Sequence, residues 1–249
     1  MVVIKTEEQI QKMAEAAKIL TGCHRMLRTK IQPGITTLEI DRLADEFITS
    51  HGATPEQKGY KGFPYATCAS VNDEICHGFP SHRKLEEGDI VTIDMVVNLN
   101  GWLADSAWSY AVGQISPEAE RLLKVTKECL YLGIEQAVVG NRIGDVSYTV
   151  QKHAEGEGYS VVREFTGHGI GSTMHEELWV PHYGIPHRGV RIRAGMVFTI
   201  EPMINIGTHR LKIDDNGWTA RTLDGTLSAQ YEHTIAITEN GPLILTEQD

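Results

Sequence analysis

Five side chains in this sequence are of the types that hold divalent cations: Asp94, Asp105, His168, Glu201 and Glu232. Asp94 interrupts the apolar run Asp89-Ile-Val-Thr-Ile-Asp-Met-Val-Val97, and Asp105 follows just after the turn signal Asn98-Leu-Asn-Gly101. His168 lies in Thr166-Gly-His-Gly-Ile-Gly171, where flanking glycines let backbone approach closely and leave the imidazole unobstructed. Glu201 ends Met196-Val-Phe-Thr-Ile-Glu and is followed by Pro202, while Glu232 opens Tyr231-Glu-His-Thr-Ile-Ala-Ile237. A carboxylate in an apolar strand is costly to bury unless it is paired or metal-bound. Each residue alone has a plainer reading, as a strand end at the surface or a simple loop. As a set, their four carboxylates carry a charge that two divalent cations would balance. Such a pair, ~3.5–4 Å apart, holds a hydroxide at neutral pH and polarises a substrate oxygen. Oxygen ligands with one imidazole suit Mn, Fe, Co or Zn better than a thiolate-loving metal.

The elements that must position these groups are partly legible. If Asn100-Gly101 forms a two-residue type I′ turn, Asp94 pairs with Ala107 and Asp105 with Val96. If the turn centres on Leu99-Asn100, Asp94 faces Asp105 directly. Both registers put the two carboxylates on one face, and like charges there are destabilising unless a cation lies between them. A surface pair on the polar side of the hairpin is the alternative.

Apolar periodicity predicts helices over 7–29, from Thr36-Thr-Leu-Glu39 to about His51, over about 117–138 and over about 145–156. Strands are expected at 89–97, 102–112, 159–163, 195–201, 231–237 and 243–245, with loops over 52–65 and 77–88. Each half therefore runs helix, helix, strands. A shift of 108 positions aligns Ile31 with Val139 and Leu38 with Val146, which hints at an internal duplication. The expectation is one α+β domain over 1–249, with halves of about 1–115 and 116–249 and a site in the cleft between them.

Composition narrows the function further. The chain has 249 residues, 41% hydrophobic and 22% charged, as in an ordinary globular protein. Its net charge of −10 argues against nucleic-acid and membrane partners. No apolar run is long enough to span a bilayer, and the first residues do not read as a signal peptide. The four cysteines show no CxxC spacing, so reduced thiols and a cytoplasmic location are expected.

At these residues the sequence resembles the type I methionine aminopeptidases. The resemblance rests on Val71-Asn-Asp-Glu-Ile-Cys-His-Gly78, the Asp94 and Asp105 pair, Gly167-His-Gly-Ile-Gly171, Thr199-Ile-Glu-Pro-Met203 and Ser228-Ala-Gln-Tyr-Glu-His-Thr234. It runs from the first helix to the last strand. It implies the pita-bread fold, two pseudo-symmetric helix-helix-strand halves around a central antiparallel sheet. It also implies two divalent ions held by Asp94, Asp105, His168, Glu201 and Glu232, with Asp105 and Glu232 bridging. Only 31 positions separate Glu201 from Glu232, which leaves no room for the helical insertion of the type II enzymes. By the same resemblance His77 and His175 contact substrate, Glu201 also carries a proton, and Tyr60, Phe63, Cys68 and Trp218 line the methionine pocket. Met174 and Gln57 depart from the family at the pocket edge, as does Phe63, which replaces a frequent tyrosine. The implied activity is removal of methionine from the N-termini of nascent polypeptides, near the ribosome, when the second residue is small; a monomer is expected. Rival readings are a proline-directed peptidase of the same fold and a binding protein that has lost catalysis.

Overall fold

The computed structural model describes residues 2–248. Four helices are set by local capping. Helix α1 spans Glu7–Arg28; Thr6 accepts from the Gln9 N–H and the Gln9 side chain returns the bond to the Thr6 N–H. Its stripe of Met13, Ala16, Ala17, Leu20 and Leu27 is fully buried. Helix α2 spans Thr37–Ser50, with Thr36 accepting from the Glu39 N–H at 3.1 Å. Helix α3, Pro117–Glu135, begins with proline after its cap Ser116. It stops before the expected residue 138, because the Ala137 N–H turns back to the Ile134 carbonyl and Gly140 adopts φ 100°. Helix α4, Ile143–Gly156, starts two residues earlier than its pattern predicted, since the Asp145 carboxylate accepts the Arg142 N–H at 2.8 Å.

The strands pair antiparallel throughout. In the first half the hairpin Ile90–Leu99 and Trp102–Ala111 is extended by Cys68–Val71 and Thr54–Pro55. Asn100 and Gly101 sit at φ 53° and 84°, as a type I′ turn requires. The register is therefore the diagonal one, Asp94 opposite Ala107 and Asp105 opposite Val96. In the second half a five-stranded sheet runs in the order Gly241–Ile244, His233–Thr238, Val197–Ile200, Gly167–Gly169, Glu176–Val180. The strands expected at 195–201 and 231–237 form as Val197–Ile200 and His233–Thr238, so Glu201 and Glu232 stand just outside their ends.

The two halves meet where strand Trp102–Ala111 runs alongside the segment from Ser228 to Thr234. The Glu232 N–H donates to the Ala107 carbonyl at 2.9 Å, and Ser109 and Gln230 exchange bonds nearby. One continuous apolar core spans both halves, from Leu20 and Ile93 to Phe198 and Ile235. Helix α1 packs on strands Ile90–Leu99 and Trp102–Ala111, and helix α3 on Val197–Ile200 and Ser228–Gln230. Among the described residues, no helix is long and apolar enough to cross a membrane.

Candidate metal centre

Strand parity and turns deliver the predicted ligands to one place. Asp105, His168 and Glu232 each offer a ligating atom, and these atoms lie within 4.8 Å of one another. His168 Nε2 is 3.5 Å from Asp105 Oδ2 and 3.7 Å from Glu201 Oε1. His168 Nδ1 faces the Gly169 carbonyl at 3.1 Å, which orients the ring and turns Nε2 toward the carboxylates. Asp94, on the neighbouring strand, lines the same cavity as the other four.

Two threonines hold the ligands in register. The Thr199 hydroxyl donates to Glu201 Oε1 at 2.8 Å and accepts from the His168 N–H at 3.0 Å. Thr234 Oγ1 accepts from the Asp105 N–H at 3.0 Å and donates to the Asp105 carbonyl at 2.8 Å. Thr199 lies two positions before Glu201, and Thr234 two after Glu232, so period-2 alternation could have singled out both. Gln230 adds a longer contact to Glu201 Oε2 at 3.5 Å, and the Glu201 N–H donates to His182 Nε2 at 2.9 Å.

The chemistry of this donor set fits divalent cations. Asp105 Oδ1 and Glu232 Oε1 are buried without a hydrogen-bond partner, and each belongs to a carboxylate expected to bridge. Burial and mutual repulsion push Asp94 and Glu232 well above the ordinary carboxylate range. Burial lifts Glu201 to about 7, and His168 is raised to about 9 because the facing Asp105 and Glu201 outweigh its desolvation. Four carboxylates this close cannot all ionise without added positive charge, which is what a pair of cations supplies.

The cluster forms the floor of a cavity of about 310 Å³. All the residues expected to bind substrate line it: Tyr60, Phe63, Cys68, His77, His175 and Trp218. Phe63 packs edge-on against Trp218 at 5.2 Å between ring centres. Cys68 stands opposite Asp94, and Gln57 bridges the two strands by donating to Cys68 Sγ and accepting from the Val96 N–H. His175 stacks obliquely on His168, ring centres 4.2 Å apart, and its Nδ1 lies 3.0 Å from the Tyr60 hydroxyl. Burial lowers His175 to about 4, so it is a neutral imidazole. His77 holds φ 57°, a region that favours glycine, and its carbonyl accepts from Thr219 Oγ1. It is likewise lowered to about 4 by burial. Met174 and Gln57 also reach the wall, and Trp179 stands at the rim. An isolated tryptophan carries no spacing signal, so sequence reading passed over it.

The profile of metallopeptidase family M24 matches residues 11–239. A methionine aminopeptidase of Clostridium perfringens is 52% identical over 246 residues, covering 99% of each chain. The chain belongs to the methionine aminopeptidases of family M24. The crystal structure of the methionine aminopeptidase from Rickettsia prowazekii superposes with a TM-score of 0.98 at 41% identity, covering 99% of this chain and 100% of that one. The fold is thus the pita-bread fold of this family. A prolidase from Pyrococcus furiosus shares that fold, at TM-score 0.82 and 23% identity, with 99% of this chain matched to 66% of the prolidase. Family membership carries with it the use of divalent metal ions.

Proposed function

We propose that the two halves work as one catalytic domain, a cytoplasmic, monomeric type I methionine aminopeptidase. It removes the initiator methionine from nascent proteins, at or near the ribosome, when the second residue is small. Asp94, Asp105, His168, Glu201 and Glu232 would hold two divalent cations (Co, Mn, Fe or Zn). The observation that carries this reading is the meeting of these ligand types on the floor of an apolar cavity, with orphaned oxygens on Asp105 and Glu232. Bound there, the cations supply a nucleophile at neutral pH and Lewis-acid polarisation of the scissile carbonyl.

The chain's own residues do the rest. Phe63, Tyr60, Cys68 and Trp218 enclose the methionine side chain, whose flexible, polarisable thioether suits an aromatic and sulfur-lined wall. His175 is neutral, with its Nδ1 3.0 Å from the Tyr60 hydroxyl; when that hydroxyl donates, the ring proton sits on Nε2. That N–H stabilises the carbonyl oxygen as negative charge develops on it. His77 holds the amide on the leaving-group side. Glu201, bonded by Thr199 on one oxygen, passes a proton to the departing amine. A scissile bond held on the cavity floor between two histidines leaves little space for the second side chain. Hence the preference for small residues there.

Purified protein with added Mn²⁺ or Co²⁺ should release methionine from Met-Ala-Ser, much less from Met-Leu-Ser, and none after chelation. No release from Met-Ala-Ser refutes the proposal, and turnover of Ala-Pro-Ser in its place supports a proline-directed peptidase.

A further inference from the structure

The phenylalanine, tyrosine and tryptophan side chains of the cavity are half-buried or buried, with one exception. Trp179, at the rim, keeps 62% of its surface in water. Its strand neighbours Leu178 and Val180 are buried in the core, so alternation turns the indole outward. Among the described residues it makes no ring or cation contact. Its register partner is His168. Directly opposed residues share a face of the sheet with Cβ atoms about 4.5–5.5 Å apart. The indole therefore rises from the side of the sheet that presents His168 to the carboxylates, on the cavity lining.

A substrate lying with its scissile bond on the floor must send the rest of its chain past this rim. Extended peptide advances ~3.3 Å per residue, so the third residue stands about 7 Å beyond the first. The indole, carried by the residue directly opposite His168, lies within that reach. The charged rim residues, Lys61 and Glu164, are both exposed and of opposite sign, so they give no net preference for a charged side chain. What the rim offers is apolar area.

We propose that Trp179 forms a subsite for the third residue of the substrate polypeptide, selecting apolar and aromatic side chains. This rests on the aminopeptidase reading given above. The subsite acts by covering part of the third side chain and the indole face together, so its effect falls mainly on KM.

The test compares kcat/KM for Met-Ala-Phe-Ser and Met-Ala-Gly-Ser within each protein, a ratio from which differences in folding and metal loading cancel. The native protein should favour phenylalanine about fivefold. Trp179→Ala should bring the ratio close to one, and Trp179→Phe should restore most of it. Ile185→Ala, which removes an equally exposed apolar side chain outside the cavity, should leave the native ratio. Methionine release with the same ratio in native and Trp179→Ala proteins overturns the subsite alone. No release from either peptide by any of the proteins overturns the aminopeptidase reading and the subsite with it.

Discussion

Thr234 offers a stringent test of how the site is built. Its side chain is fully buried, and its one hydroxyl satisfies both backbone groups of Asp105 on the side facing the second half. Valine in its place keeps the shape and removes both bonds. Each buried backbone group left without a partner costs ~1–3 kcal/mol, so the pair costs about 4 kcal/mol. The added methyl returns about 1 kcal/mol of apolar burial, leaving Thr234→Val destabilised by about 3 kcal/mol. At about 2–4 °C per kcal/mol for a chain of this size, the melting temperature should fall by roughly 6–12 °C. Thr234→Ser keeps the hydroxyl and loses only a methyl, for about 1 kcal/mol. Urea unfolding of the metal-free proteins should therefore rank native first, serine second and valine last. Hydrophobicity alone predicts the opposite order for the two variants. A valine protein as stable as the serine one would refute the argument that this hydroxyl replaces a missing strand ladder.

Other consequences are equally direct. His24 is fully buried between the Tyr110 hydroxyl and the Ser106 carbonyl, and burial lowers it from 6.5 to about 4. Below pH 6.5 the unfolded chain takes up a proton at this position that the folded chain refuses. Its stabilising contribution is thus complete above pH 6.5 and lost as pH falls toward 4, by about 2 kcal/mol between pH 7 and pH 5. His24→Gln should shrink the fall in unfolding free energy over that interval, and an unchanged slope would contradict it. Trp218→Ala removes the ring that Phe63 packs against in the proposed methionine pocket, and should raise KM for Met-Ala-Ser about tenfold with a smaller change in kcat; a loss confined to kcat would place Trp218 elsewhere in the reaction.

Much of this arrangement was readable before any coordinates, and the reasons are local. The Asn-Gly turn fixed the parity that puts Asp94 and Asp105 on one face, although only the φ values of Asn100 and Gly101 chose between the two registers. Proline after Glu201 and the apolar run after Glu232 marked strand ends, where a side chain can turn into a cleft. Strands of three residues, such as Leu211–Ile213 and Ala220–Thr222 that carry Trp218 between them, are shorter than any periodic signal. The irregular register at His168 and Gly169, which helps aim the imidazole, depends on the partner strand and has no mark in its own residues. That these five side chains line one cavity is a tertiary fact, which spacing alone did not show.

The central claim is that these five side chains share a pair of cations. Calorimetric titration of the metal-free protein with Mn²⁺ at pH 7.5 measures it most directly. Two equivalents per chain are expected for the native protein, with at least one lost in both Asp105→Asn and Glu232→Gln. No saturable uptake, or stoichiometry untouched by either substitution, would contradict it.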